Sequence, residues 1–179
     1  MIQEDSMKEI LNFLGVNSIA GLKKAIKKDE PLAKEFLEVT KLLLKEDIKK
    51  DVLELKGKNQ LMDYLKSDLG FLKHEEFKVI FLGSDNKITH EETLFRGTID
   101  RSVVYPRLII EKAIMNNAKG IIFAHNHPSG NLTPSKKDIE ITLEMQELLD
   151  KIDVKLLDHI IVSDCEDFSF YQNGLIEYY

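Results

Sequence analysis

A chain of 179 residues that is 43% apolar and 31% charged can bury a sizeable core, which excludes disordered and fibrous classes. Its single cysteine, Cys165, excludes an internal disulfide and a cysteine-rich zinc finger, and it suits a reducing compartment. The net charge is −6, with 13 Lys matching 13 Asp and Glu over residues 1–70 and the acidic excess lying beyond them, a balance opposed to phosphate-driven binding of nucleic acid.

The opening MIQEDSMKEI is acidic and lacks the basic-then-apolar order of a secretory signal. No apolar run approaches the roughly 20 residues that span a bilayer, so the expectation is a cytoplasmic protein without a membrane partner. Residues 6–56 read as helical. Met7, Ile10, Leu11, Phe13 and Leu14 recur at helical spacing, and Gly15 can end that segment. A second helix is expected over residues 18–28. Its Lys23, Lys24, Lys27 and Lys28 form the one cationic cluster and read as a solvated face. A third helix starts at Pro31 and runs to about Glu46, with Leu32, Phe36, Val39, Leu42 and Leu43 as its apolar stripe. A short helix over residues 59–67 ends at Asp68-Leu69-Gly70.

The pattern then changes. Phe77 to Leu82 is a compact apolar strand, and residues 87–95 and 98–104 read as strands separated by a turn at Arg96-Gly97. Pro106 opens a helix through Ala118, and Gly120 to Ala124 is a short buried strand. A polar loop from His125 to Thr133 leads into a helix from Pro134 to about Asp150. Residues 154–163 and 168–171 complete the strands. The alternation predicts an α/β domain of at least two layers over residues 57–179, preceded by a helical segment, residues 1–56.

The chemistry concentrates in FAHNHPSGNLTPSKKD, residues 123–138. His125 and His127 extend the C-terminal end of a strand, and residues two apart on a strand point to one side. Pro128, Gly130, Asn131 and Pro134 supply turn chemistry. Thr133 can cap the next helix with Pro134 as its first residue, which sets Ser135 and Asp138 three apart on one face. Asp138 can then return to complete a His125–His127–Asp138 set. Neutral imidazoles with a carboxylate suit one zinc ion per chain, with a fourth position left for water. Taken alone, Asp138 answers the helix dipole and Ser135 the cap; the full spacing His-x-His-x7-Ser-x2-Asp is what points to a metal.

This segment resembles the JAMM (MPN+) metalloprotease signature and, in His125-Asn-His-Pro-Ser-Gly130 followed by Pro134-Ser135 and Asp138, the RadC-like branch of that family. The resemblance continues through residues 94–98, 104–107 and 117–118, Leu157-Asp158-His159-Ile160-Ile161-Val162, residues 168–170 and Gly174-Leu175, covering about residues 60–179. It implies a cytidine-deaminase-like (JAB/MPN) mixed-sheet sandwich around a zinc site. It also implies an upstream Glu acting as base. Glu76 is the best match, ahead of Glu75, with Glu91 and Glu92 further behind. His159 reads as a support, not a fourth ligand. Leu108 stands where the branch commonly has Glu. The helix-hairpin-helix that often precedes such domains is degenerate here, because Gly15 and Gly21 make no Gly-x-Gly turn; duplex DNA is not an expected partner.

The function so implied is a zinc-dependent hydrolase, a metallopeptidase or isopeptidase acting on a protein or peptide. Zinc would activate water, Glu76 would relay the proton and Ser135 would donate to the oxyanion. The alternative is a non-enzymatic zinc-binding module with a DNA-repair-associated or protein-binding role. A deaminase fits less well, because such sites use a Cys-containing ligand set and no Cys lies near the histidines.

Overall fold

The structure, a computed structural model, describes residues 4–48, 55–97 and 105–176. The chain divides into two compact units, Met1–Leu43 and Leu44–Tyr179, and the division falls inside a helix. No helix among the described residues is long and apolar enough to cross a membrane.

The first unit holds α1 (Glu4–Phe13), α2 (Ile19–Lys27) and the first part of α3 (Pro31–Ile48). Ser18 caps α2, its Oγ accepting from the Gly21 amide at 3.0 Å, which satisfies an otherwise orphaned N–H. Leu11, Leu14, Leu22, Ala25, Ile26 and Ala33 are the buried residues of this small bundle. The expected stripe on α3 is not its packing face. The helix packs through Ala33, while Leu42 and Leu43 stay 65% and 66% exposed. The two short helices α1 and α2 enclose too little volume to cover two apolar faces of the longer α3.

The second unit is a five-stranded mixed sheet between helices. Its elements are α4 (Leu55–Leu69), β1 (Glu75–Leu82), β2 (Ile88–Gly97), α5 (Pro106–Met115), β3 (Gly120–Asn126), α6 (Lys136–Asp150), β4 (Lys155–Val162) and β5 (Asp167–Ser169). The strand order is β2-β1-β3-β4-β5. β1 pairs antiparallel with β2 and β3, β3 pairs parallel with β4, and β4 pairs antiparallel with β5. Every residue of β3 is buried, as expected for a central strand covered on both faces.

Strand periodicity sorts the core into two layers. Phe77, Val79, Phe81, Ile121 and Phe123 pack with Ile109 and Ala113 of α5 and with Met145 and Leu149 of α6. Ile80, Leu82, Ile122 and Ala124 pack with Leu61, Leu65 and Leu69 of α4. Each large side chain buried there contributes about 1.5–3 kcal/mol. The end of α4 approaches the end of β4 so closely that a Cβ on Gly70 would lie 2.3 Å from the Ser163 carbonyl oxygen; only glycine fits.

Two local expectations are corrected. Arg96 and Gly97 are not a turn but the end of β2, paired with Glu76 and Glu75; Gly97 absorbs a φ of 140° there, a value glycine adopts without strain. The strand expected over residues 98–104 lies outside the described residues. In β4 the register with β3 steps from Ile121–Leu156 to Ile122–Asp158. This bulge at Leu157 lets Leu156 and His159, three residues apart, both face α6.

Candidate metal centre

β3 delivers His125 to the α6 side of the sheet. His125 is paired across β1 with Phe77, and the two rings stack at 6.2 Å. His127 follows the strand, its amide bonded to the Val162 carbonyl at 3.3 Å. Gly130, at φ 77°, returns the chain, its amide donating to the His127 carbonyl at 2.9 Å. The His127 Nδ1 then lies 2.5 Å from the Asn131 carbonyl oxygen. A carbonyl only accepts, so Nδ1 carries the proton and Nε2 is a lone pair.

The cap of α6 is Ser135, not Thr133, and the helix begins at Lys136. Ser135 Oγ accepts from the Asp138 amide at 3.2 Å, and the Ser135 amide donates to Asp138 Oδ2 at 2.7 Å. This reciprocal capping box satisfies two orphan amides where Thr133 would satisfy one, which explains the displaced start. It also aims the carboxylate of Asp138 at the histidines.

The three side chains converge. His125 Nε2 lies 3.0 Å from His127 Nε2 and 3.5 Å from Asp138 Oδ1. His127 Nε2 lies 3.8 Å from Asp138 Oδ2. One ligand atom from each residue falls within 4.8 Å of the others. Two imidazole nitrogens and a carboxylate, turned toward one point with His125 and Asp138 buried, favour a shared cation, and the donor set fits a divalent metal. Burial holds the His125 pKa down to about 4, His127 adding to the effect and Asp138 opposing it. The ring is therefore neutral near pH 7, the form that ligates.

Behind the cluster lies a support. His125 Nδ1 is 2.8 Å from His159 Nε2. His159 Nδ1 is 2.6 Å from Thr142 Oγ1, and that hydroxyl donates to the Asp138 carbonyl at 2.5 Å. His159 is fully buried, its ring stacked on Phe170 at 4.6 Å and edge-on to Phe77 and Phe123, each at 5.6 Å. The sequence marks His159 as a support but passes over Thr142. Its only signal was a position four residues after Asp138, on the same face of α6.

Glu76 is not brought to this cluster. It alternates with Phe77 and so faces away from His125, its Oε1 meeting His74 Nε2 at 2.9 Å and Arg96 Nε at 3.3 Å. Glu75 shares the face of Phe77. Continuing the antiparallel register two residues beyond Phe77–His125 sets Glu75 across from His127. The remaining candidates are committed elsewhere: Glu91 to Tyr64, Lys45 and Lys78, and Glu92 to Lys112 and His90.

The neutral His125 predicts acid sensitivity in the metal-free protein. Its pKa falls from 6.5 to about 4 on folding, so the unfolded chain binds more protons between those values. Stability from this residue is full above pH 6.5 and is lost as pH falls toward 4, by about 3 kcal/mol. Denaturant titrations of chelated protein across that range measure the slope. The His125→Asn variant should flatten it; an unchanged slope would contradict the assignment.

The RadC-like JAB domain family matches residues 55–175. A UPF0758 protein of Fusobacterium nucleatum is 44% identical over 163 residues, covering 91% of this chain and 68% of its own length. A UPF0758 protein of Pseudomonas savastanoi pv. phaseolicola is 39% identical over 140 residues, 78% of this chain and 62% of its own. The UPF0758 protein YeeS of Escherichia coli is 42% identical over 114 residues, 64% of this chain and 77% of its own. The chain thus spans less than two thirds of the Pseudomonas relative.

Proposed function

Because the chain belongs to the RadC-like JAB domain family, we propose that it is a zinc-dependent hydrolase that cleaves a peptide or isopeptide bond. The observation that carries this reading is the convergence of His125, His127 and Asp138 beside the capping hydroxyl of Ser135. When bound, the metal supplies Lewis acidity that activates water near neutral pH. His125, His127 and Asp138 hold it. Asp138 does so while its Oδ2 keeps the Ser135 amide, so helix and ligand share one orientation. Ser135 Oγ accepts the Asp138 amide in the cap with one lone pair and keeps its proton to donate to the oxyanion of a tetrahedral intermediate. In this proposal the base is Glu75, on the face of His125, and not Glu76. Its carboxylate takes a proton from water and returns it to the leaving amine.

Zinc-loaded protein incubated with peptide and isopeptide libraries should cleave a subset, and the chelated control should cleave none. Full zinc occupancy with no cleavage of either library would sink the hydrolase reading and leave a non-enzymatic zinc module.

A further inference from the structure

We propose that Thr142 and His159 are positioning residues that hold His125 in the tautomer whose bare Nε2 faces His127 and Asp138. The inference rests on the reading of that cluster as a metal centre, but its direction is set by the chain alone. The Asp138 carbonyl oxygen can only accept, so the single proton of the Thr142 hydroxyl points to it. The same hydroxyl is then an acceptor for His159, whose Nδ1 carries the proton. A neutral His159 has one proton, so its Nε2 is a lone pair and accepts from His125 Nδ1. With its own proton spent on Nδ1, His125 turns a lone pair at Nε2 toward the cluster.

The surroundings keep His159 neutral. It is fully buried among Phe77, Phe123 and Phe170, and its two ring nitrogens meet only the Thr142 hydroxyl and the His125 ring, neither of them an anion that would hold a second proton there. A histidine in water prefers its proton on Nε2, so the assigned tautomer at both rings is imposed, not inherited. The chain of bonds ties three separate elements together: α6 provides both Asp138 and Thr142, β4 provides His159, and β3 provides His125. A Thr bonded to the carbonyl four residues back is common in helices; what sets this one apart is that its oxygen also meets a buried imidazole.

The test reads tautomers directly. Long-range 1H–15N spectra of labelled, chelated protein at neutral pH should assign the Nδ1–H form to both His125 and His159. Thr142→Val removes the acceptor and keeps the shape. It should move His159 out of that form and weaken affinity for added Zn2+ by about 10–100-fold in competition with a chromogenic chelator. Thr142→Ser should restore both. A wild-type spectrum with the proton on Nε2 of either ring overturns the proposal, as does a folded Thr142→Val protein with unchanged tautomers and zinc affinity. If that variant fails to fold, the wild-type and Thr142→Ser spectra decide alone. Neither readout uses a substrate, so failure of the hydrolase reading leaves this test intact.

Discussion

Replacing His125 and His127 together with alanine should strip the protein of bound zinc, leaving less than about a hundredth of the wild-type affinity. Only the Asp138 carboxylate would remain of three converging donors, and one carboxylate does not compete with water for the ion. The single variants should differ. His125 is the central donor, 3.0 Å from His127 and 3.5 Å from Asp138, and its loss also leaves the buried His159 Nε2 without its partner. That orphaned group costs about 1–3 kcal/mol of stability. His127→Ala removes one donor with less disturbance of the core and is the cleaner probe. Metal content of purified protein, measured as zinc per chain, checks the prediction: about one in wild type and close to none in the double variant. Full retention in the double variant would refute the site.

The second large effect separates two adjacent carboxylates. Glu75→Gln should keep the zinc and lower turnover by about 10^2–10^4-fold, the usual contribution of a positioned base. Glu76→Gln should leave turnover within a few-fold, since Glu76 is occupied by His74 and Arg96 on the other face. The measurement is the rate on whichever substrate the libraries yield, with metal content determined beside it. The reverse pattern, with Glu76→Gln inactive and Glu75→Gln active, would return the role to Glu76 and show that the strand alternation does not extend to its first residues.

The histidine pair was legible because it rests on the simplest rule of strand geometry, a period of two. Asp138 was legible because a capped helix returns its first turn to the loop it leaves. Glu75 and Glu76 could not be separated in the same way. They are neighbours, and choosing between them needs the phase of β1 against β3, which is fixed by the Phe77–His125 pairing and by nothing in the local sequence. Thr142 and His159 are 17 residues apart, and the bulge at Leu157 that turns His159 toward α6 leaves no compositional trace. The start of α6 was displaced because Thr133, Pro134 and Ser135 each suit a helix entrance; the reciprocal bonds of Ser135 with Asp138 decide among them.

All three donor residues fall within a stretch of 14 residues, whereas His159 joins them only through the parallel pairing of β3 with β4. Closing so short a loop costs little chain entropy, while parallel pairing of distant strands is slow to form. The donors can therefore meet on a chain whose sheet is still incomplete. Gathering of the three side chains and closure of the sheet around them are thus separable steps in folding.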